Sequence, residues 1–309
     1  MLNYILRRLL WTPVLLLTVS FFTFALGYYG PGDPVQVLMG QHSNPEVVAR
    51  IRHERGLDRP FFEQYYRYVW SALHGDLGES YKFQGQSIGE LIPRKVWVSA
   101  QLGLVALAIS IVMGIPLGLL AAVKQGTWLD TGIVSATLLG VSSPVFVTAP
   151  AFLFLFAYKL HFLPSYGWGG LFDAHIIMPA LVLGIPPIAG LTRLMRASTL
   201  DVIGQDYVRT ARAKGLLERV VLSRHVARNA ILPVFTVIGL SLATLVEGAF
   251  ITETFFGIPG IGRLTVDSLF ARDYPVIMAL TLLVAVAYIV ANLVVDIGYT
   301  FLDPRIRYG

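Results

Sequence analysis

Six long runs without a charged side chain constrain this sequence more than any other feature. They cover residues 9–29, 97–123, 131–158, 176–192, 229–246 and 274–295. A helix needs about 20 apolar residues to cross a bilayer, and no run shows the alternating polarity of a membrane-spanning strand. Charged residues make up only 14% of the chain, against about a quarter in soluble proteins. The sequence therefore predicts an all-α membrane protein with six transmembrane helices.

Basic residues predict the orientation of these helices. With the N-terminus inside, thirteen Lys and Arg fall in the inner segments, and only Lys159, Arg263 and Arg272 fall in the two short outer loops. Positive residues are retained on the cytoplasmic side, so both termini are expected there. Arg7 and Arg8 before the first run also suit a secretory signal, whose apolar region is about 7–15 residues. This run has 21, which favours an uncleaved helix.

The predicted topology divides the chain into three parts. They are a first transmembrane helix (1–29), an extracytoplasmic helical segment (30–96) and a core with the other five helices (97–309). In the outer segment, Asn44 before Pro45 predicts a helix start and Gly56 a helix end. A second, aromatic-rich helix follows, which suits the headgroup region. It lies on the outer leaflet, docks an external partner or does both, and these interpretations stay open.

The largest cytoplasmic segment, 193–228, carries eight basic and three acidic residues. Asp206 is expected to cap a short helix that ends at Gly215, before a second helix leads into the fifth span. Such a basic segment can lie against anionic lipid headgroups. The small residues Ala211, Ala213 and Gly215 favour a different role, because they allow close packing against another protein. We expect Ala211 and Gly215 to share that docking surface.

Common catalytic motifs are missing from the sequence. It has no Gly-Lys dipeptide and hence no P-loop for nucleotide phosphates, and neither HExxH nor GxSxG occurs. The absence of cysteine excludes disulfides, thiol nucleophiles and thiolate metal sites. We therefore predict a chain that is not an enzyme and that binds no metal or cofactor itself.

Ionisable residues near the membrane are functional candidates in such a chain. Glu247 and Glu253 lie near the outer end of the fifth run, and Asp296 closes the sixth. The runs also contain seven prolines and glycines of interest: Pro116, Pro144, Pro150, Pro186, Pro187, Gly114 and Gly118. These residues either allow helices to pack closely or kink helices along a path, and the sequence does not separate the two.

The cytoplasmic segment carries a recognisable pattern. Residues 206–215 (DYVRTARAKG), followed by RNAILP at 228–233, resemble the EAA loop of ABC importer permeases, and more narrowly that of the dipeptide and oligopeptide branch. Arg209 and Thr210 occupy the first two positions of the motif, so only Ala211 fits its general form, as is usual in this branch. Further stretches resemble the branch in the same order: PGDP at 31–34, GLDRP at 56–60, HGDLG at 74–78, TETF at 252–255, PGIG at 259–262 and DPRIR at 303–307.

The resemblance implies a type I ABC importer permease fold in which a coupling loop, 201–233, sits in a groove of an ATPase subunit. The implied coupling residues are Asp206, Arg209, Thr210, Ala211, Arg212, Ala213, Lys214 and Gly215. Candidates for the path or gate are Glu247, Glu253, Pro259 and Gly260. The implied partners are a second homologous permease, two ATPases that bind ATP and Mg, an external substrate-binding protein and the lipid of a prokaryotic inner membrane, with no nucleic acid.

Di- and oligopeptides are the expected cargo, and nickel chelates, glutathione and oligosaccharides are the alternatives within the same architecture. Two other classes of protein fit less well. A secondary transporter needs an ionisable group deep in the membrane, and the first four runs contain none. A membrane scaffold needs no coupling loop.

Overall fold

The structure is a computed structural model that describes residues 2–30, 35, 44–83 and 85–302. Side chains are described for these residues except at 2–9, 242–247 and 295–302. The motifs at 31–34 and 303–307 therefore lie outside the described residues, as do the side chains of Glu247 and Asp296. The regular elements of the described part are helices, in agreement with the predicted fold class.

The helices follow the order of the predicted segments. Before the core lie α1 (Leu2–Tyr29), α2 (Pro45–Glu54) and α3 (Phe61–Leu73). The first half of the core holds α4 (Ile88–Val123), α5 (Trp128–Ser142), α6 (Val145–Phe152, continued by the π-helix Leu153–Lys159) and α7 (Ile177–Ile203, after the 3₁₀ turn Ala174–Ile176). The second half holds α8 (Asp206–Ala213), α9 (Glu218–Val220, continued by the π-helix Val221–Ala227), α10 (Arg228–Glu247), α11 (Phe250–Phe256), α12 (Ile261–Ala271) and α13 (Tyr274–Leu302).

Four helices of the described part are long and apolar enough to cross a membrane by themselves. These are α1, α4, α7 and α13, and α5 with α6 forms a bent pair that passes the same test together. Helix α10 coincides with the predicted fifth run, although the side chains of its last six residues are outside the description. The count of six spans stays a prediction.

The predicted third span, 131–158, is not one straight helix. Its two halves, α5 and α6, are bent by 99° at a break between them. Ser143 and Pro144 are both extended there, with ψ of 111° and 148°. A residue before proline is disfavoured in the helical region, and proline itself has no N–H to continue the ladder. Pro144 therefore breaks the third run, whereas Pro116 lies within the continuous helix α4.

Helix α4 begins nine residues before the predicted span, inside the segment that was assigned to the outer surface. Its first turns bury Ile88 and Ile92 against Ile261 and Leu264 of α12 and against Val276 of α13. Hydropathy places the boundary at residue 97 because Arg94 and Lys95 interrupt the apolar run. The helix continues through them because packing of its apolar side, rather than hydropathy alone, decides where it starts.

Two glycines bring α4 and α7 into close contact. A Cβ atom at Gly114 would lie 2.8 Å from the Cβ of Leu191, and one at Gly118 would lie 2.5 Å from the carbonyl oxygen of Thr192. Gly184 faces Ala106 further along the same contact, so the two helices run in the same direction. Gly114 and Gly118 therefore serve close packing between helices. The sequence had left open whether they pack helices or kink them along a path.

The outer segment contains the predicted helix signals. The side chain of Asn44 accepts a hydrogen bond from the N–H of Glu46 at 3.1 Å and so caps α2. Gly56 follows the end of α2 with φ of +66°. The N–H groups of Gly56 and Leu57 donate to the carbonyl oxygens of His53 and Arg52, which is the hydrogen-bond pattern of a Schellman motif.

Asp273, just before α13, ties the outer segment to the bundle. Its fully buried carboxylate accepts hydrogen bonds from the Ser80 hydroxyl at 2.5 Å and from the N–H groups of Tyr81 and Lys82 at 3.0 and 3.1 Å. Segment 80–83 and the connection from α12 to α13 therefore lie at the same end of the bundle, which agrees with the predicted placing of both outside.

Candidate functional site

The predicted coupling segment forms a compact helix, α8. Gln205, extended at ψ of 148°, stands at the cap position, and no side chain caps the helix. Asp206 is the first helical residue, so the prediction that Asp206 is the cap was wrong by one position. Its carboxylate instead lies 3.6 Å from the Arg209 guanidinium and in the first turn, where a negative charge complements the helix dipole.

Gly215 ends α8 as predicted. It has φ of +76°, and its N–H donates to the carbonyl oxygen of Arg212 at 2.9 Å. The N–H of Leu216 reaches back to the carbonyl of Ala211 at 3.4 Å, which completes a second Schellman motif. A Cβ atom at Gly215 would meet nothing within 4 Å. The glycine is therefore needed for its backbone conformation and not for space within this chain.

Ala211 does not belong to the exposed surface of α8, and the expectation that it shares a docking surface with Gly215 was wrong. It is only 5% exposed and packs with Val208, Val221 and Val226 in a small apolar cluster. One turn of helix separates it from Gly215, but the chain reverses there, and Ala211 faces inward to the π-helix that follows. Its small side chain serves internal packing.

The exposed side of α8 and its turn combines positive charge with apolar groups. It presents Tyr207, Arg209, Thr210, Arg212, Ala213, Lys214, Gly215, Leu216 and Leu217. Leu217 is 77% exposed and Tyr207 44%. We call these residues the α8 surface. Exposed leucine and tyrosine beside basic side chains are typical of a surface that another protein covers.

An ion pair holds the shape of this turn. The Arg212 guanidinium donates two hydrogen bonds to the Glu218 carboxylate, at 2.7 and 3.1 Å, and so joins the end of α8 to the start of α9. The hydrogen bonds lower the pKa of Glu218 and raise the pKa of Arg212. Both groups therefore stay charged at neutral pH.

Two polar contacts connect this end of the bundle to the long helices. Arg196 of α7 donates to both carboxylate oxygens of Asp130, at 2.7 and 2.8 Å, which fixes the start of α5. The Ser198 hydroxyl donates to the carbonyl of Ala230 in α10 at 2.7 Å. These contacts tie α7 to α5 and to α10 near the end of α7 from which the chain continues into α8.

At the opposite end of the bundle, Glu253 is fully buried. Its carboxylate accepts hydrogen bonds from the Ser99 hydroxyl at 2.7 Å and from the N–H groups of Ala249 and Arg263, both at 3.0 Å. Ser99 in turn accepts a hydrogen bond from the N–H of Ile261 at 2.8 Å. We call this arrangement of Glu253 and Ser99 the outer clasp, because it joins α4, α11 and α12.

Glycines surround the outer clasp closely. A Cβ atom at Gly260 would lie 2.4 Å from the Ser99 hydroxyl oxygen and 2.5 Å from a carboxylate oxygen of Glu253. One at Gly248 would lie 2.5 Å from the backbone nitrogen of Gly262, and Gly248 has φ of +80°. Gly260 is thus a structural part of the clasp, and Pro259 beside it is half-buried.

A cavity of about 190 Å³ adjoins the outer clasp. Ser99 and Ala249 belong to both, and the other lining residues are Leu102, Gly103, Ala106, Leu107, Leu183, Pro187, Ser241 and Gly248. The wall is mostly apolar and is formed by α4, α7, α10 and the loop after α10. Pro187 therefore lines a cavity, in contrast to the packing glycines Gly114 and Gly118.

Two family descriptions match consecutive parts of the chain. Residues 1–87 match the N-terminal part of a binding-protein-dependent transport system membrane component. Residues 114–308, more than half of the chain, match the inner membrane component of binding-protein-dependent transport systems. The chain belongs to this permease family.

Curated members of the family match over the full chain. The dipeptide transport system permease protein DppB of Escherichia coli K12 is 40% identical, with 100% of this chain and 99% of that protein covered. The oligopeptide transport system permease protein OppB of Haemophilus influenzae is 39% identical, with both chains covered completely. Among solved structures, the inward-facing MetNI methionine ABC transporter matches at a TM-score of 0.49 and 18% identity, with 67% of this chain and 95% of that chain covered.

Sequence reasoning about this permease located α8, Gly215 and Glu253 but missed the residue that positions Glu253. Ser99 was one polar residue in an apolar run, and nothing in the run distinguishes it from Ser110, which only bonds to backbone carbonyls. Its partner lies 154 residues away. Only the packing of α4 against α11 and α12 identifies Ser99.

Proposed function

We propose that the chain is one of two homologous permease subunits of an ATP-driven importer for di- and oligopeptides. The observation that carries the proposal is the 39–40% identity, over the whole length of both chains, to permeases of dipeptide and oligopeptide transport systems. The cargo would be delivered by an external substrate-binding protein, and ATP hydrolysis would take place in two partner ATPases. Both termini would lie in the cytoplasm of a cell with the protein in its inner membrane.

The α8 surface is the proposed docking site for an ATPase. Its exposed leucines and tyrosine are flanked by Arg209 and Lys214, so apolar burial and charge attraction both favour a protein partner. The Schellman turn at Gly215 and the ion pair from Arg212 to Glu218 would keep this surface rigid. Movement of the ATPase would then reach α7 through the short connection from α8, and α10 through α9 and the π-helix.

The cavity beside the outer clasp is the proposed part of the translocation path in this subunit. Its apolar wall with few polar groups suits a carrier that must release peptides of varied side chains, because tight specific contacts would slow release. Glu253 is proposed to act there by holding Ser99 and the loop before α11 in place. It would not bind cargo directly, since its carboxylate is fully buried and already accepts three hydrogen bonds.

Substitution of Gly215 tests the coupling role. Gly215→Val forces a β-branched residue into the left-handed region, which costs at least about 1–2 kcal/mol locally. Gly215→Asn is the matched control, because asparagine tolerates this conformation. We expect uptake in proteoliposomes and co-purification of the ATPases to fall sharply in the first variant and to persist in the second. Full activity of Gly215→Val would overturn the assignment.

A third variant separates docking from lipid binding. Replacing Arg209 and Lys214 together by glutamine weakens the attraction to anionic headgroups but keeps the turn glycine and the ion pair from Arg212 to Glu218. If α8 only lay on lipid, this variant would lose uptake while Gly215→Val would retain it.

Cargo is tested on the assembled transporter. Uptake of a labelled dipeptide should be competed by other di- and oligopeptides, and not by a nickel chelate, glutathione or an oligosaccharide. Competition by one of the latter three in place of peptides would keep the importer assignment and correct its cargo.

A further inference from the structure

Helix α3 is attached to the side of α1 through aromatic rings. Phe61 and Tyr65 contact Phe21 and Phe24 with ring centroids 5.4–5.7 Å apart. The Tyr65 hydroxyl donates to the carbonyl of Leu17 at 3.1 Å and lies 2.9 Å from the Ser20 hydroxyl. These contacts are with the apolar stretch Leu10–Tyr29, which is long enough to cross a membrane. Helix α3 is therefore placed beside a membrane span.

The depth of α3 follows from the helix rise. Phe24 and Phe21 lie five and eight residues before Tyr29, the last residue of that span. At about 1.5 Å per residue, these ring contacts lie about 8–12 Å inside the end of the span, and the contact of the Tyr65 hydroxyl with Leu17 lies about 18 Å inside it. A helix in the interface plane buries its apolar face to about 5–10 Å. The rings of α3 thus lie at or just below the boundary between headgroups and acyl chains, and the Tyr65 hydroxyl reaches deeper.

The surface of α3 divides into three faces. Phe61, Tyr65, Tyr68 and Ala72 fall on the face against α1. Next to it runs a stripe about 100° wide, without a charged residue, that contains Phe62, Tyr66, Val69, Trp70 and Leu73. Four of these five are strongly exposed: Phe62 73%, Tyr66 65%, Trp70 56% and Leu73 77%. We call these four residues the aromatic stripe.

The remaining face of α3 is polar and satisfied within the protein. Glu63 pairs with Arg59 and lies 3.3 Å from Arg67. Gln64 donates to the carbonyls of Leu57 and Arg59 at 3.1 and 2.7 Å. The charged residues of α3, Glu63 and Arg67, therefore lie outside the aromatic stripe.

The direction in which the stripe faces is set by Tyr65. Of the residues against α1, Tyr65 is adjacent to the stripe around the helix, and its hydroxyl makes the deepest contact, with Leu17. The stripe therefore lies on the side of α3 that is turned toward the middle of the span, and the polar face is turned toward its end. This is the orientation of an interfacial helix and the reverse of what a water-facing surface would need.

We propose that α3 is an interfacial membrane helix whose aromatic stripe inserts into the acyl region of the outer leaflet. The occupant of this apolar face is lipid, because α3 packs against the membrane span Leu10–Tyr29 and its uncharged, exposed stripe is turned toward the middle of that span. Tyrosine and tryptophan prefer this depth, since they combine an apolar ring with a polar atom. The choice of the outer leaflet depends on the orientation given under the proposed function. Insertion of the stripe into lipid does not depend on that orientation.

The absence of cysteine from the chain allows a direct test. A single cysteine replaces Tyr66 on the stripe, or Arg67 on the polar face as the matched control, and carries an environment-sensitive NBD label. The complete transporter is reconstituted in phosphatidylcholine vesicles. Quenching is measured with a lipid that carries a doxyl group on carbon 5 of one acyl chain and, separately, with iodide in the water. Leu73→Cys provides a second stripe position if Tyr66→Cys reduces assembly.

Insertion predicts opposite results at neighbouring positions. The label at 66 or 73 should be quenched at least threefold more by the doxyl lipid than the label at 67, and at least threefold less by iodide. Equal and strong iodide quenching at 66, 73 and 67 would overturn the proposal, since the stripe would then face water. Iodide quenching at 66 and 73 that disappears only when the external binding protein is added would also overturn it, and would assign the stripe to that protein.

Discussion

Replacement of Gly118 by alanine is the sharpest test of the packing between α4 and α7. The added Cβ atom would lie 2.5 Å from the carbonyl oxygen of Thr192 and 2.7 Å from the Cβ of Met195. A carbon atom normally approaches a carbonyl oxygen no closer than about 3.3 Å, so the helices must separate by about 0.8 Å. The neighbouring atoms belong to the backbone and the first side-chain carbon of a long helix, which cannot rotate away.

The expected cost can be separated from helix propensity. Overpacking a close contact costs about 1–3 kcal/mol, whereas alanine in place of a helical glycine gains about 0.5–1 kcal/mol. Gly132 in α5 is the matched control, because a Cβ atom there would meet nothing within 4 Å. The propensity gain is common to both variants, so the difference between them isolates the packing term at about 1–3 kcal/mol.

Thermal unfolding of the purified permease measures this difference. About 2–4 °C in Tm corresponds to 1 kcal/mol in a chain of about this size. We therefore expect Gly118→Ala to unfold about 2–12 °C below Gly132→Ala, and Gly132→Ala to unfold at or above the unmodified protein. Equal midpoints for the two alanine variants would refute the inferred contact between α4 and α7.

Three further predictions concern the clasp, the topology and the chemistry. Ser99→Ala should lower Tm because it leaves the buried N–H of Ile261 without its acceptor, at a cost of about 1–3 kcal/mol; an unchanged Tm would contradict the outer clasp. Cysteines placed singly at Ser43 and Ser223 should react with an impermeant thiol reagent in intact cells only at position 43, and the opposite result would invert the topology. The isolated chain should not hydrolyse ATP, because it has no P-loop. Hydrolysis by a preparation free of contaminating ATPases would contradict this prediction.

Local signals in the sequence predicted the parts of this protein that depend on a few neighbouring residues. Asn44 before Pro45, and the glycines at 56 and 215, marked helix ends correctly, because capping is decided by the backbone within one turn. The same reasoning misplaced the cap of α8 by one residue. A capping side chain must be extended in its backbone, and here Gln205 rather than Asp206 is extended.

The sequence by itself determined the class of the protein, because a bilayer requires long apolar helices. It also determined the family through the motif at 206–215. Only the tertiary structure decided which side of α8 is exposed, that Ala211 is internal, and that Glu253 is held by Ser99 from 154 residues away. The physical reason is that periodicity gives the faces of a helix but not what each face meets. In the apolar runs nearly every residue is hydrophobic, so only contacts between helices distinguish lipid-facing, packed and cavity-lining positions.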